Sequence, residues 1–101
     1  LGLDPTKSVY QIWVMGQNGR LIYDEDPKEI GKDLFTDETY ASFPELLTLG
    51  KQIKEEDWGV GHYSYHYKGG KQVIYKIAAW STVKLDEKNK WDIIATLPYF
   101  E

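Results

Sequence analysis

The dipeptide Asn18-Gly19 constrains the fold of this chain more tightly than any other local feature. It separates Val9–Met15 from Leu21–Tyr23, two runs rich in β-branched and aromatic residues, and Asn-Gly accepts the positive φ angles of a tight hairpin turn with little strain. An antiparallel pair of strands is therefore expected near the N-terminus. With a two-residue turn, Trp13, Met15 and Ile22 share one face, and Ile12, Val14, Leu21 and Tyr23 share the other. Both faces are apolar.

Two helix starts follow. Asp26-Pro27-Lys28-Glu29 supplies an N-cap acid, a proline at the first helical position and a Glu at N3, so a short helix is expected through Ile30, ended by Gly31. Ser42-x-x-Glu45, with Pro44 in the first turn, opens the main helix, and Phe43, Leu46, Leu47, Gly50 and Ile53 fall on one of its faces. That helix is expected to stop near Glu55 to Asp57, ahead of the breakers Gly59 and Gly61. Beyond it the chain reads only as strand and turn: Val60–Tyr67, Gly69-Gly70, Gln72 to Leu85, a turn over Asp86–Lys90, then Trp91–Leu97. Pro98 should end the sheet, because a central strand cannot spare the N–H. With no repeat, low-complexity tract or linker, residues 1–101 read as one α+β domain.

Composition excludes several functions. A chain of 101 residues, 42% hydrophobic, should bury roughly two-thirds of its unfolded surface and fold without disulfides or a structural metal. The absence of cysteine removes thiolate metal sites and Cys nucleophiles. A net charge of -4 without a basic run argues against nucleic acid as a partner. No apolar stretch approaches the roughly 20 residues of a membrane span. His62 and His66 lie four apart on a strand, about 13 Å end to end, so one ion cannot take both and no metal site is expected. Asp24, Glu25 and Asp26 lack the spacing and central Gly of a calcium loop, and capping and surface charge account for them. With no Gly-x-Ser-x-Gly, phosphate loop or His-Glu-x-x-His, the sequence assigns no catalytic residue and no cofactor, and the chain reads as a non-enzyme.

The aromatic residues of the C-terminal half are more informative. A turn at Gly69-Gly70 pairs Lys68 with Lys71, which places Tyr63 opposite Lys76 and Tyr65 opposite Ile74. One sheet face then carries Gly61, Tyr63, Tyr65, Lys76, Ala78 and Trp80. An ammonium amid Tyr and Trp near mid-sheet needs an anionic partner, because desolvating it alone is costly. Either Lys76 pairs with a protein carboxylate or snorkels while the tyrosines pack as core, or these groups line a pocket for a small carboxylate-like ligand. A slip of one residue would exchange the whole set for its neighbours.

The order ββααβββ, with helices between strands 2 and 3 covering one face of a five-stranded antiparallel sheet of order 2-1-5-4-3, matches the PAS fold. Ile12–Phe35 (I-W-V-M-G-Q-N-G-R-L-I-Y-D-E-D-P-K-E-I-G-K-D-L-F), Pro44–Ile53, Gly59–Tyr65, and K-I-A-A-W-S-T-V ahead of W-D-I-I-A-T-L-P-Y are similar to Cache domains. These are PAS-like extracytoplasmic sensors of prokaryotic histidine kinases and chemoreceptors. The resemblance implies a sensory input domain for two-component or chemotaxis signalling, binding a small organic acid, amino acid or related metabolite between sheet and helical cover. It adds Tyr23, Phe35 and Tyr40 to Tyr63, Tyr65, Lys76, Ala78 and Trp80 as ligand-binding residues. It also implies an extracytoplasmic location, with flanking membrane segments and a cytoplasmic output domain in the parent protein. A ligand-free PAS-like dimerisation module, its cavity filled by its own Tyr and Trp, is the alternative. Family members begin with a long helix leading out of a membrane span, whereas only Leu1–Lys7 precede the first strand here, so that helix is expected to be cut away or absent. The helices can cover one hairpin face only; the stripe containing Trp13 and Met15 is expected to bury against a second copy in a two-fold dimer, or against Leu1–Lys7 folding back.

Overall fold

The computed structural model describes residues 10–66 and 70–99. Strands β1 (Gln11–Gly16) and β2 (Leu21–Asp24) are followed by two 3-10 turns, Pro27–Glu29 and Glu38–Tyr40, and helix α1 (Pro44–Glu55). Strands β3 (Trp58–His66), β4 (Val73–Lys84) and β5 (Lys90–Tyr99) complete the fold. The sheet is antiparallel with order β2-β1-β5-β4-β3, as expected. The first hairpin docks onto the last strand, from Gln11 opposite Thr96 to Gly16 opposite Trp91.

The first turn is one residue longer than a two-residue Asn-Gly hairpin. The Gly16 amide donates to Arg20 O at 2.8 Å and the Gly19 amide to Gly16 O at 3.0 Å, with Gly19 at φ 94. Any Cβ at Gly19 would lie 2.4 Å from the Phe35 ring, so both backbone angle and space select glycine there. Met15 consequently pairs with Leu21, and a bulge restores Val14 opposite Tyr23 and Trp13 opposite Asp24. Leu21 and Ile22 therefore exchange the faces expected of them: Leu21 is fully buried beside Met15 and Ile22 is only half-buried. The covered hairpin face is also the opposite of the expected one. Trp13 and Met15 lie in the core beneath the helices, and Ile12, Val14 and Tyr23 face away. The fold-back of Leu1–Lys7 and the Lys68-Gly69 half of the second turn lie outside the described residues.

The segment between β2 and α1 is tied to the sheet edge. The Leu21 amide donates to Lys32 O, the Gly31 amide to Leu21 O and the Leu34 amide to Gly19 O, each at 2.8 Å, which occupies backbone groups that an edge strand would otherwise expose. Asp26 caps the first 3-10 turn by accepting from the Lys28 amide at 3.0 Å, and Gly31 follows at φ 92. Helix α1 starts on Phe43 with Pro44 at N1 and no side-chain cap. Glu45, free of a capping role, instead accepts from Ser64 Oγ at 2.8 Å and fastens the helix start to β3. Leu46, Leu49, Gly50 and Ile53 form the buried helix face, joining Trp13, Met15, Leu21, Leu34, Tyr40, Tyr63, Ala78, Trp80 and Ile94 in one core.

Pro98 does not end the sheet; it lies within β5 opposite Lys76. Past the Gln11–Thr96 pair, β4 is the only described neighbour of β5, and a one-sided ladder tolerates a missing N–H. At the far end of the same face, a Cβ at Gly59 would lie 2.4 Å from the Trp80 ring, whose Nε1 donates to Glu56 O at 2.9 Å. The indole is thus held against the strand by its own hydrogen bond. Gly59→Ala is expected to lower stability by about 1–3 kcal/mol through overpacking, read from the urea midpoint at unchanged slope.

Candidate functional site

The inner sheet face carries a buried polar layer instead of a purely apolar one. The registers align Tyr63, Lys76 and Pro98 in one cross-strand row, Gly61, Ala78, Thr96 and Gln11 in the next, and Gly59, Trp80, Ile94, Trp13 and Asp24 in a third. Tyr63 stands opposite Lys76 and Tyr65 opposite Ile74, the register expected from a Gly69-Gly70 turn. Lys76 is fully buried. Its side chain crosses β5 to reach β1, where Nζ donates to Gln11 Oε1. Burial pulls the ammonium pKa down to about 8, against the opposing pull of Asp24, Glu25 and Glu29.

These carboxylates are positioned by the turn after β2. Asp24 is 2% exposed and accepts from the Asp26 amide at 2.9 Å. Glu25 accepts from the Ile12 amide at 2.6 Å. Glu29 accepts from the hydroxyl of fully buried Tyr40 at 2.8 Å. Burial first, then the Glu29 carboxylate, holds the Tyr40 phenol far above its ordinary range. Tyr63, 1% exposed, is shifted the same way by burial and then by Tyr65, Asp24 and Glu29. Its hydroxyl and the Trp13 indole N–H are buried without a hydrogen-bond partner among the described residues. Such groups are uncommon in a folded interior, because each retains its desolvation cost.

Among the residues expected to bind ligand, the structure groups Tyr40, Tyr63, Tyr65 and Lys76. The Tyr63 and Tyr65 rings stack at 6.1 Å and 19°, and Tyr65 meets Phe43 edge-on at 5.4 Å. Ala78 lies on the same face, fully buried. Trp80 stands four residues from Lys76, about 13 Å along the strand, committed to Gly59 and Glu56. Phe35 packs between the Gly19 turn and Gly50, with Lys54 Nζ 5.2 Å from its ring; it wedges the cover onto the sheet. Tyr23 is 46% exposed on the opposite face, across from Val14, and does not join the cluster.

The sequence reading missed Gln11, Trp13, Asp24 and Glu29. Asp24 is no surface or capping acid but a buried member of the inner layer. The signal was present, since a hairpin on Asn18-Gly19 sets Asp24 opposite Trp13. Glu29 reads as a helix-start residue and instead turns inward to Tyr40. A cleft of about 570 Å³ opens between Phe43–Glu45 and Ser64–His66, with Val73 at its edge and Tyr65 in its wall. Of the two stacked tyrosines, it is Tyr65 that lines the cleft. Among the described residues, no helix is long and apolar enough to cross a membrane.

No family model and no curated protein matches this sequence. Solved structures do match in fold. An extracellular ligand binding receptor from Desulfohalobium retbaense aligns over 87% of this chain with a TM-score of 0.53 and 19% identity. A PAS domain from a two-component sensor histidine kinase aligns over 89% with a TM-score of 0.59 and 10% identity. The periplasmic sensory domain of the Campylobacter jejuni chemoreceptor Tlp1 aligns over 88% with a TM-score of 0.61 and 19% identity. The chain spans 12%, 85% and 28% of these three, respectively. The strand order, the helical cover between β2 and β3, and these likenesses agree: the fold is PAS-like, as the resemblance to Cache domains implies.

Proposed function

We propose that this domain is the sensory input module of a signal-transduction receptor of the histidine kinase or chemoreceptor type. Its ligand would be a small carboxylate or amino-acid-like metabolite held between the inner sheet face and the helical cover. The observation that carries this reading is the pair of buried donors without a partner among the described residues, Tyr63 OH and Trp13 Nε1, on the sheet face that also holds Lys76 and Asp24, with Glu29 in the 3-10 turn of the cover. An ammonium with phenol and indole donors suits a carboxylate, and two buried-side acids suit an ammonium, so the layer has groups for both ends of an amino acid. The neighbours in fold are sensory and receptor domains, and by analogy we place this chain extracytoplasmically in a membrane receptor with a cytoplasmic output domain and assign it no catalytic role. Ligand would enter by the cleft beside Tyr65 and close the cover onto the sheet, shifting the population of conformations at the ends of the domain.

One observation favours the second reading, a ligand-free PAS-like interaction module. Tyr40, Tyr63, Lys76 and Ala78 are at most 1% exposed and Lys76 already holds Gln11, so the layer is closed by its own side chains. A melting screen with amino acids and small carboxylates separates the two. A ligand at 100 times its dissociation constant adds about 2.7 kcal/mol; no shift with any member of the set leaves the interaction module. Tyr63→Phe should leave the unliganded domain as stable or more stable, since it deletes an unpaired hydroxyl, and should reduce the shift given by any ligand found.

The buried charge has its own signature. Lys76 titrates near 8 when folded and at its usual 10.5 when unfolded. In between, the unfolded chain binds more protons, so stability rises with pH. Tyr40 and Tyr63, both raised, reverse this trend only above their ordinary value of 10. The expected profile is a gain of about 2 kcal/mol from pH 8 to pH 10. It should vanish in Lys76→Met, which at pH 7 is expected to match or exceed the parent because the burial cost of the charge is removed. A loss of several kcal/mol at pH 7 would instead make Lys76 the stabilising partner of the acids.

A further inference from the structure

The two edges of the sheet differ in how they are protected. An edge strand presents a row of unpaired N–H and C=O groups, and folded proteins blunt it by keeping it short, by a bulge, by charge or proline, or by a covering segment. Strand β2 is four residues long and bulged against β1, and its outer side bonds Lys32 O and the Gly31 amide. Strand β3, at the opposite edge, is long and unbroken. Trp58–His66 contains no Asp, Glu, Lys, Arg or Pro and pairs with β4 at nine consecutive positions, from Trp58 opposite Ser81 to His66 opposite Val73, without a bulge. Helix α1 lies over the inner side of β3, where a Cβ at Gly61 would meet Leu49 Cδ1 at 2.6 Å. His62 alternates onto the outer side, next to buried Tyr63, yet it shares one hollow with Glu45, Thr48 and Gln52 of α1. Residues from both sides of a sheet can line one hollow only along the strand's outer edge. Two more hollows flank it, one at Pro44 and Ser64 and one at Glu56 and Trp58. A groove thus runs the length of β3, with the strand edge as its floor and α1 as a wall.

We infer that this edge receives an extended segment of a partner protein, rich in Lys or Arg, which pairs with β3 as a sixth strand. Strand addition of this kind draws affinity from main-chain hydrogen bonds and selectivity from alternate side chains that enter flanking pockets. A strand of this length offers about 30 Å of ladder. The charge of the groove selects the occupant. Glu45, Glu55, Glu56 and Asp57 line it, and among the described residues no Lys or Arg lines any of the three hollows. Glu45 accepts from Ser64 and Asp57 faces Lys84 at 3.9 Å, so Glu55 and Glu56 are the acids placed to meet incoming basic side chains. Trp58, 76% exposed beside them, adds a ring face for a guanidinium or ammonium. The same acids argue against a second copy as the occupant. Two β3 edges paired about a two-fold axis would bring both acidic walls together, and like charges so juxtaposed are costly.

Panning a display library of random nine-residue peptides against the chain tests this. Enriched sequences are expected to carry Lys or Arg at alternate positions, and a synthetic peptide of that kind should slow amide exchange in Trp58–His66 while leaving β2 unchanged. N-methylation of one alternate set of its amides should abolish binding, and of the other set should leave it intact, because only one edge of the peptide faces β3. Glu55→Lys combined with Glu56→Lys should weaken binding on the order of tenfold at low salt. Should that variant fail to fold, a fall in the parent's affinity as salt is raised provides the same readout. No enrichment, enrichment without basic residues, or slowed exchange away from β3 overturns the proposal. So does binding that survives methylation of either set, which would be charge attraction without strand pairing. A two-chain mass with β3 amides already slowed in the absence of peptide overturns it as well, since the occupant would then be a second copy.

Discussion

The central constraint on this domain is the burial of one ammonium group between a sheet and its cover. Lys76 emerges mid-strand from β4 with no route to solvent, and a charge in that position must be met by polar groups from within. The fold supplies them from the other end of the sheet and the turn beyond it: Gln11 on β1, Asp24 at the end of β2, and Glu29 in the 3-10 turn. Strand order 2-1-5-4-3 makes this meeting possible, since it brings the N-terminal hairpin to within one strand of β4. A long side chain crossing β5 then spans the remaining gap.

The cover is fixed by a second set of contacts that avoids the polar layer. Phe35 wedges against Gly19 and Gly50, Glu45 takes the Ser64 hydroxyl, and Trp80 takes the Glu56 carbonyl where α1 ends. These anchors lie at the ends and edge of the helical layer. Between them the Tyr40–Glu29 hydrogen bond and the stacked pair Tyr63 and Tyr65 close the interior. The cover is thus held at its margins over an interior that retains donors unpaired among the described residues, and the cleft lies where Phe43 meets Tyr65.

Much of the fold was readable from local chemistry. Asn18-Gly19, Pro27 and Pro44 marked the hairpin and both helix starts, because turn and cap preferences act within a few residues. The register Tyr63–Lys76 followed from counting back from a glycine turn, since strand pairing propagates a turn's geometry along the whole hairpin. The faces of the first hairpin were not readable. One extra residue in its loop exchanged Leu21 with Ile22, and nothing in either strand distinguishes two apolar faces.

The sequence by itself determined the elements, their order and the presence of a lysine among aromatics on one strand face, all consequences of short-range periodicity and turn geometry. Only the tertiary structure decided what that lysine meets. Gln11 and Lys76 are 65 residues apart, and Asp24 and Glu29 read locally as cap and surface acids until the hairpin closes onto β5. The side of the sheet that the helices cover was likewise decided by docking, because both faces offer apolar surface and the choice turns on where the buried charges can find one another.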